Sequence, residues 1–338
     1  MNFWTSCSKD MMDIRLIKEY LGDGWTAVNE SILSALRSDI VLLNSTNTSI
    51  LSSSGKQLRP VLALLMARAC SGHEISEATV RYAAASELLH NATLLHDDVA
   101  DGSDQRRGVP TIRSLMGPSV SVLVGDYWLV KAMELILQDT ESDVSVIKIF
   151  SKTLSDLAEG EMLQLQKAQS GDTDVDDYLR IIYNKTASLF EAACVSAAVS
   201  VGASEIYCRA ARDYSVALGL AFQIKDDILD YEGTESVGKP LGVDILEQKI
   251  TMPLLGAFKN ASEQEGVRVR ELVRDITAHP EYRSEIVSFV HENQGLEYAV
   301  SELDRYVGQA VEALAVLPEC REKSLLQELA YFTAKRNK

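Results

Sequence analysis

The stretch "LLHDDVADGSDQRRG", residues 94–108, ends an apolar run with a group of acids and follows it with two arginines. The sequence before it, "VRYAAASELLHNAT", repeats apolar residues at helical spacing, which predicts an α-helix that carries the acids at its end. Residues four apart share a helix face, so Asp97 and Asp101 project together, with Asp98 beside them. Such crowded carboxylates repel one another unless a cation compensates them.

The same spacing recurs in "FQIKDDILDYEG", as Asp226, Asp227 and Asp230. One copy is typical of a helix end that exposes acids to water. Two copies, each after apolar sequence and each followed by basic residues, indicate a common ligand instead. Mg²⁺ binds a few carboxylates together with waters and phosphate oxygens, and the ligand spacing of an EF-hand is missing. The two motifs therefore predict Mg²⁺ ions around one diphosphate.

Composition limits the class of protein. The 338 residues are 46% hydrophobic, enough for a large core, and the net charge of -16 argues against general nucleic-acid binding. Five cysteines without a C-x-x-C pair are typical of reduced intracellular thiols. The N-terminal sequence lacks the apolar run of a signal peptide, and residues 192–204 are too few to span a bilayer. We expect a cytoplasmic protein whose contact with membranes is at most transient.

Helical spacing continues along the whole chain, and convincing strand alternation is absent. In "TDVDDYL", Thr173 or Asp174 is expected to cap a helix. No linker, low-complexity tract or composition shift divides the sequence. We predict a single all-α domain over residues 1–338, with roughly the first twelve residues disordered.

Basic residues accompany both acidic motifs. Each alone is typical of a surface charge, but together they predict two anion sites, because arginine and lysine both bind phosphate. The set comprises Lys56, Arg59, Arg106, Arg107, Lys185, Lys239 and Lys249.

Together these motifs resemble those of the trans-polyprenyl diphosphate synthases, and the resemblance runs from about Asp13 to the C-terminus. It rests on "GKQLRP", "LLHDDVADGSDQRRG", "YNKTASLFEAA", "FQIKDDILDY" and "GKPLGVDILEQKITMPLL", in the family's order. The resemblance implies a large helical bundle around a deep central cavity, usually a homodimer. It also implies Mg²⁺-dependent, head-to-tail condensation of isopentenyl diphosphate with an allylic diphosphate.

The resemblance assigns roles residue by residue. Three Mg²⁺ ions would be held mainly by Asp97, Asp101 and Asp226, supported by Asp98, Asp227 and Asp230. The allylic diphosphate would be bound by Arg106, Lys185, Thr186, Gln223, Lys239 and Lys249. Isopentenyl diphosphate would be bound by Lys56, Arg59, His90 and Arg107. The set with a direct part in catalysis is Asp97, Asp98, Asp101, Asp226, Asp227 and Lys185.

Four further residues bear on these sites. His90 could be a packed histidine, although its place two turns before Asp97 permits a ligand role. The family pattern gives His96 no ligand role. Phe222 could shield a carbocation or simply pack in the core. Gln248 stands where family members often have glycine, which leaves the turn before Lys249 in question.

Product length is predicted from residues just before the first motif. Short-chain members of the family carry aromatic residues four or five positions ahead of it, where this chain has Thr93 and Ala92, with Leu89 and Ser86 deeper along the helix. Small residues there would let a prenyl tail pass, although they also permit close helix packing. We expect a long product of about C40 from a farnesyl-type primer, used as a quinone side chain; the exact length stays open.

Other functions fit the residues less well. A class I terpene cyclase normally carries an N-S-E type of second metal motif, whereas this chain has the intact aspartates. A farnesyl- or geranylgeranyl-length synthase would share every catalytic residue and differ only in its cavity. A regulatory subunit tends to lose the motifs, but a catalytic subunit of a heteromeric synthase would keep them. A plain acidic helical scaffold does not explain paired motifs with flanking cations.

Overall fold

The computed structural model describes residues 13–52, 55–72, 74–106, 108–138, 144–232 and 242–336. Nearly all of them are helical, so the all-α prediction is confirmed. The expected disorder of the first twelve residues lies outside the described part of the chain. The α-helices are α1 Ile14–Leu21, α2 Asp23–Ala35, α3 Val41–Ser52, α4 Leu58–Ser71, α5 Glu77–Ala100, α6 Ile112–Met116, α7 Pro118–Leu137, α8 Val144–Ser170, α9 Val175–Ile182, α10 Ser188–Ser200, α11 Glu205–Glu232, α12 Val243–Leu246, α13 Met252–Asn260, α14 Glu263–Asp275, α15 Tyr282–Glu292, α16 Gly295–Ala313 and α17 Arg321–Lys335.

Three short elements lie among these helices in the described part of the chain. A π-helix, Tyr183–Ala187, joins α9 to α10, and a 3₁₀ turn, Leu314–Val316, follows α16. A small antiparallel ribbon consists of β1 Gln105–Arg106 and β2 Val109–Pro110. Strands of two residues are too short to show an alternating pattern, so no periodicity indicated them.

Helix α10 lies in the middle of the bundle, where it packs against α4, α5, α8 and α11. Its small residues Ala192, Ala193, Ala197 and Ala198 are fully buried and let the neighbouring helices approach closely. Buried apolar side chains from α1 to α17 form one connected cluster around it. The residues are therefore organised around a single hydrophobic core, into which the acidic motifs are brought by their helices.

Both aspartate motifs occupy the C-terminal ends of long helices, α5 and α11. This end of a helix carries a partial negative charge, so it disfavours carboxylates. Neither helix has a basic residue in its last turn that could compensate the negative charge of the carboxylates. Positive charge must therefore come from elsewhere in the fold.

The π-helix is held between α8 and α11 by two glycines. A Cβ atom at Gly160 of α8 would lie 2.8 Å from Asn184 Cβ, and one at Gly219 of α11 would lie 2.6 Å from Ala187 Cα. Real Cβ atoms do not approach so closely, so only glycine lets these helices pack on the π-helix backbone. The position of Lys185 and Thr186, which lie between these two contacts, depends on both glycines.

We expect Gly219→Ala to lower the free energy of unfolding by about 1–3 kcal/mol, because the added methyl overlaps Ala187. Gly308 in α16 is the matched control, since a Cβ there meets no atom within 4 Å. Gly308→Ala should instead stabilise the protein by about 0.5–1 kcal/mol through helix propensity. Urea unfolding of both variants measures this; equal effects would contradict the close packing at Gly219.

Candidate active site

The first aspartate motif ends α5 and is completed by the β-ribbon. Asp98 is 5% exposed and accepts hydrogen bonds from Arg106 Nε and the terminal guanidinium nitrogen, both at 2.9 Å. Arg106 is delivered by β1, which folds back from the end of α5. Asp97 is half-buried and Asp101 is exposed at the helix C-cap. The ribbon therefore fixes one carboxylate of the motif and leaves its i, i+4 pair facing the site.

The second motif is held in a similar way. Asp227 is 2% exposed and accepts hydrogen bonds from Tyr178 Oη at 2.5 Å and from Gln223 Nε2 at 3.0 Å. Asp230 accepts the backbone N–H groups of residues 243 and 244, at 3.1 and 3.2 Å. Asp226 is half-buried, and its Oδ1 lies 2.9 Å from the guanidinium of Arg336. Each aspartate of this motif thus has a different kind of partner.

The π-helix faces both motifs with Lys185 and Thr186. Lys185 Nζ pairs with Glu161 at 2.7 Å and donates to Gln164 Oε1 at 2.9 Å, both on α8. Thr186 Oγ1 donates to Gln223 Oε1 at 3.1 Å. A π-turn widens a helix by one residue and is frequent at functional sites. Here it directs two adjacent side chains to two different neighbouring helices.

Two carboxylates of the motifs have too little positive charge around them to stay ionised as readily as in water. Burial raises the pKa of Asp97 to about 7, aided by the nearby Glu161 and opposed by Lys185 and Arg106. Burial and the neighbouring Asp244 raise the pKa of Asp227 to about 8. Both shifts mean that the ionised forms are short of positive charge at neutral pH. The acidic groups therefore suit a site that takes up cations.

Lys249 links the two motifs. Burial alone would lower its pKa, but the carboxylates of Asp244, Glu247 and Asp101 raise it well above the ordinary value. Its ammonium pairs with Glu247 and lies 3.8 Å from Asp244. Because Asp101 belongs to the first motif and Asp244 packs beside the second, Lys249 lies between them.

Divalent cations fit this set of donors. Within the described residues, no three carboxylate, histidine or cysteine side chains already surround one point closely enough to hold a metal ion. Mg²⁺ does not require such a cage, since it is usually bound by one or two carboxylates and completed by waters and phosphate oxygens. Among the described residues, Asp97 and Asp101 accept no side-chain hydrogen bond, and Asp226 pairs with Arg336.

A cleft opens beside the second motif. Its walls include Lys185, Gln223, Asp227 and Lys249, four residues that the sequence predicted, together with Tyr178. The predicted product passage lies deeper along α5, where Ser86, Leu89 and Ala92 are buried and Thr93 is half-buried. These four residues do not belong to the walls of this cleft.

The other predicted anion site lies around two phenylalanine rings. Arg59 is 9% exposed and its guanidinium lies 4.7 Å from the ring centre of Phe190, which contacts Phe222 at 5.8 Å between centres. Arg336 covers Phe222 at 3.8 Å and donates to its carbonyl at 2.7 Å. The guanidinium groups of Arg59 and Arg336 therefore lie against the two rings. Arg336 also forms an ion pair with Asp226 of the second motif.

The remaining predicted residues can be placed briefly. Lys56 Nζ lies 5.4 Å from the ring centre of Phe332, and His90 is half-buried on α5. His96 pairs with Asp126 at 3.1 Å, away from the ligand set. Arg107 and Lys239 lie outside the described residues.

Sequence reasoning missed four contributors: Glu161, Gln164, Tyr178 and Arg336. Glu161 and Gln164 contact Lys185 from α8, whereas Tyr178 and Arg336 contact aspartates of the second motif. All four lie far from their partners along the chain, so no local spacing indicated them. The basic sequence "AKRNK" at residues 334–338 was the one available sign of Arg336.

Comparison with known proteins agrees with this geometry. The family model for polyprenyl synthetase matches residues 41–290, more than half of the chain. The chain belongs to the polyprenyl synthetase family. It is 38% identical over 330 residues to the octaprenyl diphosphate synthase of Haemophilus influenzae, covering 97% of this chain and 99% of that protein. The octaprenyl diphosphate synthase of Escherichia coli is 35% identical, covering 97% and 100%.

Solved structures give the same result for the fold. A decaprenyl diphosphate synthase from Rhodobacter capsulatus superposes with a TM-score of 0.89 at 35% identity, covering 96% of this chain and 100% of that one. A polyprenyl synthase from Caulobacter crescentus, complexed with calcium and isoprenyl diphosphate, gives 0.88 at 32% identity, with 98% and 100% covered. The predicted family, helical architecture and prenyltransferase class are confirmed. No helix of the described residues is long and apolar enough to cross a membrane.

In this polyprenyl synthetase, the turn before Lys249 explains the departure at Gln248. Gln248 has φ +59°, in the left-handed region that favours glycine, so a residue with a side chain is strained there. Its Nε2 donates to the carbonyl of Arg274 at 2.5 Å, which offsets part of that strain. The turn therefore adopts the left-handed conformation that glycine favours, although glutamine occupies it.

We expect Gln248→Ala to be less stable than Gln248→Gly by about 1 kcal/mol, because both variants lose the hydrogen bond but only alanine keeps the left-handed strain. Thermal or urea unfolding of both variants checks the order of stability. If alanine proves equal to glycine, the backbone conformation assigned to residue 248 is wrong.

Proposed function

We propose that the chain is a long-chain trans-polyprenyl diphosphate synthase, which adds isopentenyl diphosphate head to tail to a farnesyl-type allylic diphosphate. The observation that carries the proposal is the placement of Asp227, Lys185 and Lys249 around one cleft. The first motif lies nearby, because Lys185 acts on the charge of Asp97 and Asp101 acts on that of Lys249. The product is about C40, in line with the full-length octaprenyl relatives, and serves as a quinone side chain.

Family members use Mg²⁺, and three ions are proposed here. Asp97, Asp101 and Asp226 would be the principal ligands. The other three aspartates already accept hydrogen bonds from the protein, so they would support the site. When bound, the metal ions would neutralise the diphosphate and make it a better leaving group. When the metal ion binds Asp226, the ion pair between Arg336 and Asp226 would either persist beside the metal or break.

The chain's own residues then position the two substrates. The allylic diphosphate is assigned to Arg106, Lys185, Thr186, Gln223 and Lys249, with Lys239 predicted from sequence alone. Isopentenyl diphosphate is assigned to Lys56, Arg59 and His90, with Arg107 predicted likewise. Two such subsites would hold the reacting carbons together, which replaces a bimolecular encounter by a positioned one.

The reaction needs no covalent bond to the protein. The allylic carbon–oxygen bond breaks and the diphosphate leaves with the electron pair. The isopentenyl double bond attacks the resulting cation, and a proton from the new chain is lost to the departing diphosphate. Shielding of the cation by Phe222 stays a prediction from the sequence, and it would need the face of the ring opposite the Arg336 guanidinium, which lies 3.8 Å from the ring centre.

A homodimer is proposed from the exposed apolar side chains. Leu123, Val130 and Leu137 follow one another at heptad spacing on α7 and are 67%, 51% and 49% exposed. Helix α7 packs beside the start of α3, where Val41 is 82% exposed. A helix stripe of this spacing fits a partner helix. A second copy of the chain would cover it symmetrically.

A two-component enzyme is the second candidate. The chain is also 31% identical over 327 residues to heptaprenyl diphosphate synthase component 2 of Geobacillus stearothermophilus, whose name indicates a further component. In that case the apolar stripe on α7 would bind a different subunit. The catalytic residues would be unchanged.

The first experiment uses the purified chain with Mg²⁺, farnesyl diphosphate and labelled isopentenyl diphosphate. We expect one class of products near C40, reduced to background when EDTA removes the metal, and a particle of dimer mass in sedimentation. Products that stop at C15–C20 would overturn the assignment of length. A folded chain that binds substrate without turnover would favour the two-component enzyme.

Ala92→Phe is expected to shorten the product, because the ring would close the passage five residues ahead of Asp97. Thr93→Phe, at a half-buried position, should do the same at lower cost in stability. Ala83→Phe is the matched control: it is an equally buried alanine nine residues earlier, on the opposite face of α5. Product lengths are resolved by chromatography; an unchanged distribution in both passage variants would refute the proposed passage.

A further inference from the structure

A buried tyrosine supports the second aspartate motif. Tyr178 of α9 is 3% exposed, and its hydroxyl donates to Asp227 Oδ2 at 2.5 Å. Gln223 Nε2 donates to the other oxygen, Oδ1, at 3.0 Å. Both oxygens of a carboxylate that is itself 2% exposed therefore have donors from the protein. The orientation of Asp227 is fixed at two points.

The hydrogen-bonded chain continues to the π-helix. Gln223 Oε1 accepts the hydroxyl of Thr186 at 3.1 Å, so Asp227 on one side and Thr186 on the other determine which way the amide points. Tyr178, Gln223 and Asp227 also line the cleft together with Lys185. The four linked residues thus belong to three elements, α9, α11 and the π-helix, that meet at the diphosphate subsite.

We propose that Tyr178 is a positioning residue for the allylic diphosphate. Through Asp227 and Gln223 it holds Thr186 and the second motif at a fixed separation. This inference rests on the proposed function, of which it specifies one subsite. Phenylalanine at residue 178 would leave Asp227 Oδ2 buried without its donor. The carboxylate and the Gln223 amide would then turn to satisfy it, and the diphosphate would meet a rearranged set of donors.

The isopentenyl side should be insensitive to this change. Lys56 and Arg59 lie by the phenylalanine rings Phe332 and Phe190, and the hydrogen-bonded chain does not include them. A substitution that only loosened the core would disturb both subsites. A positioning role therefore predicts a selective effect on the allylic substrate.

The matched control is Tyr214→Phe. Tyr214 is also a fully buried tyrosine, and its hydroxyl donates to the carbonyl of Leu326 at 2.8 Å, between α11 and α17. Tyr178→Phe should raise KM for farnesyl diphosphate about tenfold while KM for isopentenyl diphosphate stays within about twofold. Tyr214→Phe should move neither constant. Equal changes in both variants, or none in Tyr178→Phe, would overturn the inference.

Binding without turnover separates this inference from the proposed function. Calorimetry with inorganic pyrophosphate and Mg²⁺ on the full chain should show about tenfold weaker binding in Tyr178→Phe alone. If the wild-type chain forms no prenyl product and this selective loss is still seen, the proposed function fails and the inference holds. If the wild-type chain is active and Tyr178→Phe binds pyrophosphate normally, the inference fails and the function holds.

A double-mutant cycle with Asp227→Asn tests the route. Tyr178 is argued to act through Asp227, so Tyr178→Phe should weaken pyrophosphate binding by less than about twofold further in the Asp227→Asn background. Additive losses would mean that Tyr178 acts independently of Asp227, which would overturn the proposed mechanism of positioning.

Discussion

Carboxylates buried at the C-terminal ends of two apolar helices are the constraint on which the site depends. Neither burial nor the helix ends favour the ionised acids, and the pKa values of Asp97 and Asp227 rise in consequence. The surrounding fold answers with donors and cations brought from other elements, among them Lys185 and Arg336. Because the two helices do not supply this positive charge themselves, α8, α9, the π-helix and the C-terminal helix are placed where their side chains reach the site.

The six aspartates divide into two groups by their partners. Asp98, Asp227 and Asp230 are occupied by a guanidinium, by two neutral donors and by backbone N–H groups. They hold the ribbon, α9 and the loop before α12 in place. Asp97 and Asp101 lack such partners among the described residues, and Asp226 pairs with Arg336. One D-D-x-x-D sequence thus combines structural anchors with the carboxylates that we propose as metal ligands, and the two motifs share a spacing but differ in their contacts.

Much of the fold was predictable because its signals are local. Helical periodicity placed α5 and α11, the aspartate spacing placed both motifs, and Asp174 caps α9 through Asp177 as expected. The π-helix was not predictable, since it differs from an α-helix by one residue per turn. Tyr178 reaches Asp227 across 49 positions, and no local pattern records such a contact. The need for glycine at residues 160 and 219 becomes evident only when the position of the neighbouring backbone is known.

The paired phenylalanines connect the two proposed substrate subsites. Arg59 lies on Phe190, Arg336 lies on Phe222, and the rings touch, while Arg336 also holds Asp226. A ligand that binds Arg59 and a metal ion that binds Asp226 would both act on this stack. Thermodynamic linkage then requires reciprocity: whatever free energy one ligand contributes to the binding of the other, it receives in equal measure. The affinity of each subsite would therefore depend on whether the other is occupied, although the contact that joins them is between two uncharged rings.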